Sequence, residues 1–224
     1  ISTGGYEVAN SCKFESDNDE WLSKTGTTGN RRTWTYSTWI KRTEIGNDCV
    51  IFSARNAGSN AGYFGMEFRA GDTFHLETYY TTLRYTDRLF KDTSAWYHIV
   101  VVCDSTQSTA SNRLKLYVNG VEETSFSSGN NNIEHRVGNS YYSGRRFNGY
   151  IAETHLVDGT SLLPTDFGEF DDDSGIWKPK EYTGNYGNNG FYLDFKDSSN
   201  MGNDANGGTD FTENNIAAAD QATD

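Results

Sequence analysis

Three stretches between residues 96 and 162 decide the fold: WYHIVVVCD (96–104), RLKLYVNGVEE (113–123) and RFNGYIAETHLVDGTSL (146–162). Apolar and polar residues alternate in each of them, which is the period of a β-strand that turns one face to a core. The stretches follow one another closely, without a helical crossover. We therefore expect three consecutive antiparallel strands.

The second stretch shows the pattern most clearly. Leu114, Leu116 and Val118 share one face, and the residues between them lie on the other. Asn119 and Gly120 follow at once, and both residue types tolerate the positive φ that a two-residue hairpin turn requires. The sequence therefore predicts a tight turn here.

The same alternation recurs along the chain, in residues 33–41, 49–54, 63–69, 73–80 and 190–195. Glycine is frequent, with 23 residues, and we find no long stretch with apolar residues at helical spacing. Many short strands with glycine turns predict an all-β fold with minimal helix, an antiparallel two-sheet jelly-roll sandwich.

We expect one folded domain over residues 1–195, since sandwiches of this length commonly remain undivided. Residues 196–224 are rich in Asn, Gly and Asp, with little apolar surface to offset the entropy of ordering. We interpret this C-terminal segment as a linker to further sequence. The chain also lacks an initiating Met, so we expect it to be a piece of a longer polypeptide.

The net charge of −12 argues against a nucleic-acid partner, because phosphate binding needs clustered Lys and Arg. No apolar run approaches the roughly 20 residues that span a bilayer, and the N-terminus lacks the features of a signal peptide. We expect neither nucleic-acid binding nor membrane insertion.

Three cysteines, Cys12, Cys49 and Cys103, cannot all pair within one chain. Each lies in or beside an apolar run, which favours buried thiols. A single disulfide between two of them is the alternative.

Four of these stretches together resemble a known family: TWTYSTWIKR (33–42), AWYHIVVVCD (95–104), RLKLYVNGVE (113–122) and FNGYIAETHLVDGTSL (147–162). They resemble the laminin-G-like domains of the concanavalin A-like lectin/glucanase superfamily, over about residues 12–195. The resemblance implies a jelly-roll sandwich whose relatives bind glycans or proteins, some with Ca²⁺, while some are glycosidases.

Residues 162–195 (LLPTDFGEFDDDSGIWKPKEYTGNYGNNGFYLDF) resemble more narrowly the versions found in bacteriophage virion and tail-fibre proteins. This resemblance implies an extracellular location on a virion surface. It also implies contacts with other virion subunits and a homo-oligomeric assembly.

The sequence contains little evidence for a catalytic site. Glucanases of the superfamily resemble E-x-D-x-E on one strand, which places two carboxylates about 5 Å apart. The nearest match, Glu169 to Asp173, lacks the final Glu and lies in a Gly- and Asp-rich segment. We expect no enzyme activity; carboxylates of Glu169 and Asp173 lining a cleft would argue otherwise. His98 and His155 are expected to be hydrogen-bonded strand residues.

The sequence also contains a weak candidate for a calcium site. Asp204, Asn206 and Asp210 place oxygen ligands at alternate positions around a glycine turn, like part of a calcium loop. The loop lacks a bidentate Glu, and an ordinary Asn/Gly turn is the favoured interpretation.

Aromatic side chains flanked by polar groups are the usual basis of glycan binding. Two clusters have this character, in residues 79–85 and 141–146. The candidate ligand-binding residues are Tyr80, Tyr85, Tyr142, Arg145 and Arg146. Aromatic packing or a subunit contact explains the same clusters equally well.

The sequence therefore predicts a non-catalytic binding module that attaches a phage fibre or capsid appendage to a cell-surface glycan or receptor. The first alternative is a decoration or assembly module of a virion without glycan binding. The second is a glycosidase whose site lacks a recognisable motif.

Overall fold

The computed structural model describes residues 6–27, 29–54, 63–79, 81–128 and 146–223. Short 3₁₀ turns are the only helical elements in these ranges. No helix of the described chain is long and apolar enough to cross a bilayer. The minimal helix content agrees with the prediction.

The described residues form seventeen strands. In chain order they are β1 (Asn10–Phe14), β2 (Trp21–Ser23), β3 (Thr33–Arg42), β4 (Cys49–Ala54), β5 (Phe64–Phe68), β6 (Thr73–Thr78), β7 (Thr82–Leu89), β8 (Tyr97–Asp104), β9 (Leu114–Val118), β10 (Val121–Glu122), β11 (Phe126–Ser128), β12 (Gly149–Asp158), β13 (Gly168–Phe170), β14 (Trp177–Pro179), β15 (Phe191–Leu193), β16 (Thr212–Asn214) and β17 (Gln221–Thr223).

Two antiparallel sheets carry the architecture. The large sheet has the order β10-β9-β8-β3-β12-β1-β17, and β15 also pairs with β12. The smaller sheet has the order β11-β7-β6-β5-β4. Two short antiparallel pairs, the β13-β14 hairpin and the pair of β16 with β2, lie outside them. This confirms the predicted all-β, two-sheet antiparallel sandwich.

The main core fills the space between the two sheets, and aromatic pairs join them. Tyr36 of β3 packs on Phe52 of β4 with ring centroids 4.6 Å apart, and Trp34 meets Phe64 at 5.4 Å. Alternate residues of the large sheet complete this layer, as the period-2 pattern predicted.

The outer face of the large sheet is also covered. Ser37 and Trp39 alternate with the core residues of β3, and His98 of β8 lies beside them, fully buried. The chain after β12 packs over this face and supplies Phe167 and Trp177. Both faces of β3 are therefore buried.

A β-bulge interrupts β12 on this outer face. Ala152 pairs with Trp39 and His155 pairs with Ser37, so two residues, Glu153 and Thr154, lie opposite Thr38. Glu153 has a φ of +48°, a conformation that non-glycine residues rarely adopt. The bulge leaves the core register on either side unchanged and gives the outer face an additional side chain.

The C-terminal segment differs from the predicted linker. β16 pairs with β2, and β17 pairs with β1 at the edge of the large sheet. Met201 and Asp204, which precede β16 in the chain, are buried. Backbone pairing, together with a few buried side chains, orders a segment whose composition alone predicted little packing.

All three cysteines are buried free thiols, as the apolar context of each predicted. Burial raises the pKa of Cys49 and that of Cys103 to about 12, so both remain protonated at neutral pH. Burial also raises the pKa of Cys12.

Candidate functional site

A cleft of about 340 Å³ lies over the outer face of the large sheet, where β15 adjoins β12. We call it the tyrosine cleft. Its principal lining residues are Tyr6, Glu181, Tyr182, Tyr186, Tyr192, Lys196 and Asn206. Aromatic rings and charged or amide groups therefore converge on one cavity.

Strand pairing places the tyrosines. Tyr192 of β15 pairs with His155 of β12, which directs it to the outer face. Tyr186 lies in the loop before β15, and its carbonyl accepts a hydrogen bond from the backbone N–H of Asp158 (2.9 Å). The Asp158 carboxylate also accepts one from the backbone N–H of Asn189 (3.1 Å). These bonds hold the loop against the end of β12.

A buried carboxyl group lies behind two of the tyrosines that line the cleft. Glu153 is 4 % exposed, and its Oε2 accepts hydrogen bonds from the hydroxyls of Tyr6 (2.7 Å) and Tyr192 (2.8 Å). Burial raises the pKa of Glu153, although these hydrogen bonds oppose the shift. The additional outward side chain of the bulge is therefore the group that fixes two of the tyrosines.

A stack of rings makes the floor rigid. The imidazole of His155 lies parallel to the ring of Tyr192 at 4.3 Å and stacks on that of Tyr186 at 5.9 Å. Its Nδ1 is 2.8 Å from the Tyr186 hydroxyl. Burial lowers the pKa of His155 to about 3, so the ring is neutral at pH 7. The raised pKa of Tyr186, also caused by burial, keeps its hydroxyl protonated.

A second cavity, of about 150 Å³, lies on the same outer face and is apolar. We call it the tryptophan pocket. It is lined by Val8, Trp39, Trp96, Ala152 and Pro179.

Side chains that do not line the tryptophan pocket hold Trp39 in place. Trp39 stacks on His98 at 4.7 Å, and His98 Nδ1 accepts a hydrogen bond from Trp177 Nε1 (2.9 Å). Because Nδ1 is the acceptor, Nε2 carries the proton and donates to Ser37 Oγ (2.8 Å). Burial lowers the pKa of His98 to about 3. His98 and His155 are thus hydrogen-bonded strand residues, as the sequence predicted.

Of the ligand-binding residues predicted from sequence, Tyr80, Tyr142 and Arg145 lie outside the described residues. Tyr85 lies on β7 in the smaller sheet, where its ring stacks on His75 at 4.8 Å. Arg146 pairs with Asp19 at the surface. The structure therefore places Tyr85 and Arg146 in separate environments, and neither lines either cavity.

In the predicted calcium loop, the carboxylates of Asp204 and Asp210 accept hydrogen bonds from the protein itself. Asp204 accepts from Lys24 Nζ (2.9 Å) and from the backbone N–H of Asn206 (3.2 Å), while Asp210 accepts from the N–H of Asp204 (3.0 Å). No group of three or more His, Cys, Asp or Glu side chains in the described chain is arranged to hold a metal. Asn206 also lines the tyrosine cleft.

The incomplete E-x-D-x-E segment forms the hairpin of β13 and β14. Asp171 caps the turn by accepting from the backbone N–H groups of Asp173 and Ser174. Lys178 lies 3.1 Å from the Asp171 carboxylate and 3.5 Å from that of Glu169. Glu169 and Asp173 line neither of the two cavities.

Sequence reasoning missed the tyrosine cleft. Tyr182, Tyr186 and Tyr192 occur within eleven residues of an Asn- and Gly-rich stretch, which is a local signal for an aromatic binding loop. The contribution of Tyr6 has no such signal, because it reaches the cleft only through the tertiary fold.

Comparison with known proteins identifies the family. The profile of Laminin_G_3, described as "Concanavalin A-like lectin/glucanases superfamily", matches residues 16–163, more than half of the chain. The chain belongs to this family. The matched range of this Laminin_G_3 domain includes Glu153 and His155 but not Tyr182, Tyr186 or Tyr192.

Solved structures share the fold at low identity. A "putative carbohydrate binding protein" from Bacteroides ovatus is 14% identical with a TM-score of 0.68, covering 97% of this chain and 60% of that one. The extracellular region of zebrafish Gpr126/Adgrg6 is 14% identical (TM-score 0.51), covering 76% and 25%. The SAP-like pentraxin of Limulus polyphemus is 16% identical (TM-score 0.49), covering 71% and 80%. No curated protein matches the sequence.

This Laminin_G_3 domain thus spans about 60% of the length of the Bacteroides protein and a quarter of the zebrafish one. The similarity extends through the C-terminal segment in the first case, since 97% of the chain is covered. At these identities the likeness shows the fold alone.

Proposed function

We propose that this Laminin_G_3 domain is a non-catalytic carbohydrate-binding module and that the tyrosine cleft is its glycan site. The observation that carries the proposal is the convergence of Tyr6, Tyr182, Tyr186 and Tyr192 on one cavity of about 340 Å³. The size lies within the usual range of small-molecule sites.

The chemistry of the cleft suits a sugar. Aromatic rings offer an apolar surface to the C–H face of a sugar ring, and neighbouring polar groups orient its hydroxyls. Lys196, Glu181 and Asn206 are exposed and supply a donor, an acceptor and an amide that offers both.

Preorganisation supports the same conclusion. Glu153 and His155 hold Tyr6, Tyr186 and Tyr192 by hydrogen bonds and stacking. Side chains that are already fixed lose little conformational entropy when a ligand binds. The fold of the Bacteroides protein, described as carbohydrate-binding, adds support at the level of architecture.

Substitution of Tyr182 tests the site. Tyr182 is half-buried, and its hydroxyl donates to the carbonyl of Asn185 (3.2 Å). Its ring packs edge-on against Tyr186 at 5.1 Å. Tyr182→Ala therefore leaves the hydrogen bonds that Glu153 accepts from Tyr6 and Tyr192 in place but removes this ring contact. We expect about a 5- to 150-fold loss of affinity for a glycan identified on an array, measured by calorimetry, because loss of one aromatic contact is worth about 1–3 kcal/mol.

Lys196→Ala provides a milder variant, with Lys180→Ala as its matched control. Lys180 carries the same charge, is also exposed and does not line the cleft. Lys196→Ala should weaken binding, whereas Lys180→Ala should not. Loss of binding in Tyr85→Ala but not in Tyr182→Ala would move the site to the smaller sheet and refute the proposal.

We propose further that the module is displayed on the surface of a phage virion, as the resemblance of residues 162–195 suggests. Mass spectrometry and antibody labelling of virus-sized particles from the source of this sequence should detect the chain. Intact particles should also bind the glycan. Labelled particles that cannot bind it would favour the assembly role, and unlabelled particles would contradict the virion setting.

A further inference from the structure

The two cavities are neighbours, and three segments of the chain pass from one to the other. Val8 lines the tryptophan pocket and Tyr6 lines the tyrosine cleft. Likewise, Pro179 lines the tryptophan pocket and Glu181 lines the tyrosine cleft. Two residues of chain span at most about 7 Å. Along both segments, the Cα atoms of residues that line the two cavities are therefore no farther apart than this distance.

The bulge in β12 is the third such segment. Ala152 forms part of the tryptophan pocket, and the next residue, Glu153, anchors Tyr6 and Tyr192 beneath the tyrosine cleft. A small side chain thus opens space for the pocket immediately beside the buried carboxylate. Together these segments bring an apolar cavity against a polar one.

The tryptophan pocket has the character of an apolar subsite. All of its lining residues among the described residues are apolar, and Trp39 is held by its stack on His98. An apolar cavity of about 150 Å³ can take a group as large as benzene. A sugar ring covered in hydroxyls would lose hydrogen bonds there, because the walls offer few partners.

We infer that the ligand of the tyrosine cleft is a sugar that carries a short acyl group, such as an N-acetyl or O-acetyl group, and that this group occupies the tryptophan pocket. The inference rests on the proposed glycan-binding function. The polar ring remains among the tyrosines, Lys196 and Asn206, while the methyl end of the acyl group contacts Trp39 and Trp96.

Matched oligosaccharides test the inference. Chitotetraose and cellotetraose share their β-1,4 backbone and are both uncharged, but only the first carries acetamido groups. Acetylated xylotetraose and its alkali-deacetylated product form the corresponding O-acetyl pair. On whichever backbone binds, we expect the acylated member to bind at least about tenfold more tightly, as measured by calorimetry.

Two variants test whether the preference for the acylated sugar arises in the tryptophan pocket. Trp96→Ala removes a partly exposed wall of the tryptophan pocket, and Val8→Asp places a charge in it. Each should reduce the preference for the acylated sugar to less than about threefold, whereas Tyr182→Ala should weaken both members of a pair. Saturation-transfer NMR should show the strongest transfer to the acetyl methyl protons, and this transfer should fall in Trp96→Ala.

The outcomes separate this inference from the proposed function. Equal affinity for acylated and deacylated partners, abolished by Tyr182→Ala, would overturn the acyl inference and leave the glycan site standing. A preference that survives both Trp96→Ala and Val8→Asp would also overturn it. Absence of binding to every glycan on an array that includes these pairs would overturn both.

Discussion

Lowering the pH from 7 to 4 should reduce the free energy of unfolding by up to about 3 kcal/mol for each of two buried histidines, His98 and His155. Burial lowers the pKa of each to about 3; the charge of His98 contributes a smaller part for His155. An unfolded histidine has a pKa near 6.5. The unfolded state therefore binds more protons as the pH falls from about 6.5 towards 3, and the folded state loses stability.

The surroundings of both histidine rings are consistent with their lowered pKa values. His98 is enclosed by Ser37, Trp39 and Trp177, none of which is charged. Glu153 lies 3.9 Å from His155 Nε2. Burial raises the pKa of Glu153, which disfavours its charged form, so the carboxyl offers little compensation to an imidazolium.

Urea denaturation between pH 7.5 and 5 measures this effect above the range in which most carboxylates titrate. The slope of unfolding free energy against pH should fall by about half in either His98→Gln or His155→Gln and nearly vanish in the double variant. Glu153 acts with the opposite sign, because a raised pKa adds stability as the pH falls through it. An unchanged slope in the double variant would contradict the prediction.

Trp177→Ala should destabilise the protein by about 3–5 kcal/mol, the usual cost of truncating a large buried aromatic residue. Its ring lies against Gly120, in the turn between β9 and β10, and against Gly168 of β13, and it stacks on His98. A Cβ added at Gly120 or at Gly168 would lie 2.5 Å from that ring. The substitution also removes the hydrogen bond that His98 Nδ1 accepts, which leaves a buried acceptor unpaired.

Equilibrium denaturation in urea provides the measurement, with Ile176→Ala as the matched control. Ile176 is the preceding residue and is 66% exposed, so its truncation should change the unfolding free energy by no more than about 0.5 kcal/mol. Trp177→Phe keeps one aromatic ring but loses the N–H donor and part of the indole volume, so it should fall between the two. A loss in Trp177→Ala no greater than that in Ile176→Ala would refute this packing role.

Local patterns were sufficient to predict the sandwich. The alternation of apolar and polar residues predicted which side chains of β3, β8 and β9 face the core. This assignment needs only the local sequence, because successive side chains of a strand point to opposite faces of the sheet. The turn was equally local: Asn119 and Gly120 adopt φ values of +49° and +79°. Family resemblance and this pattern therefore agree with the structure on fold class.

The candidate site was less predictable, because it depends on register. Tyr192 meets His155 through strand pairing, and Tyr6 reaches Glu153 across 147 positions of sequence. The C-terminal segment was missed for a related reason. Backbone pairing of β17 with β1 needs no apolar pattern, so composition alone gave no sign of it.

Under the proposed glycan-binding function, the bulge at Glu153 would let ligand recognition change without a change of fold. Ile151 and Leu156 still pair with Ile40 and Tyr36 on either side of it. Loss or replacement of the inserted residue would alter the anchor of the tyrosines while the interior remained in place. Ligand choice and structural integrity can therefore vary independently in descendants of this sequence.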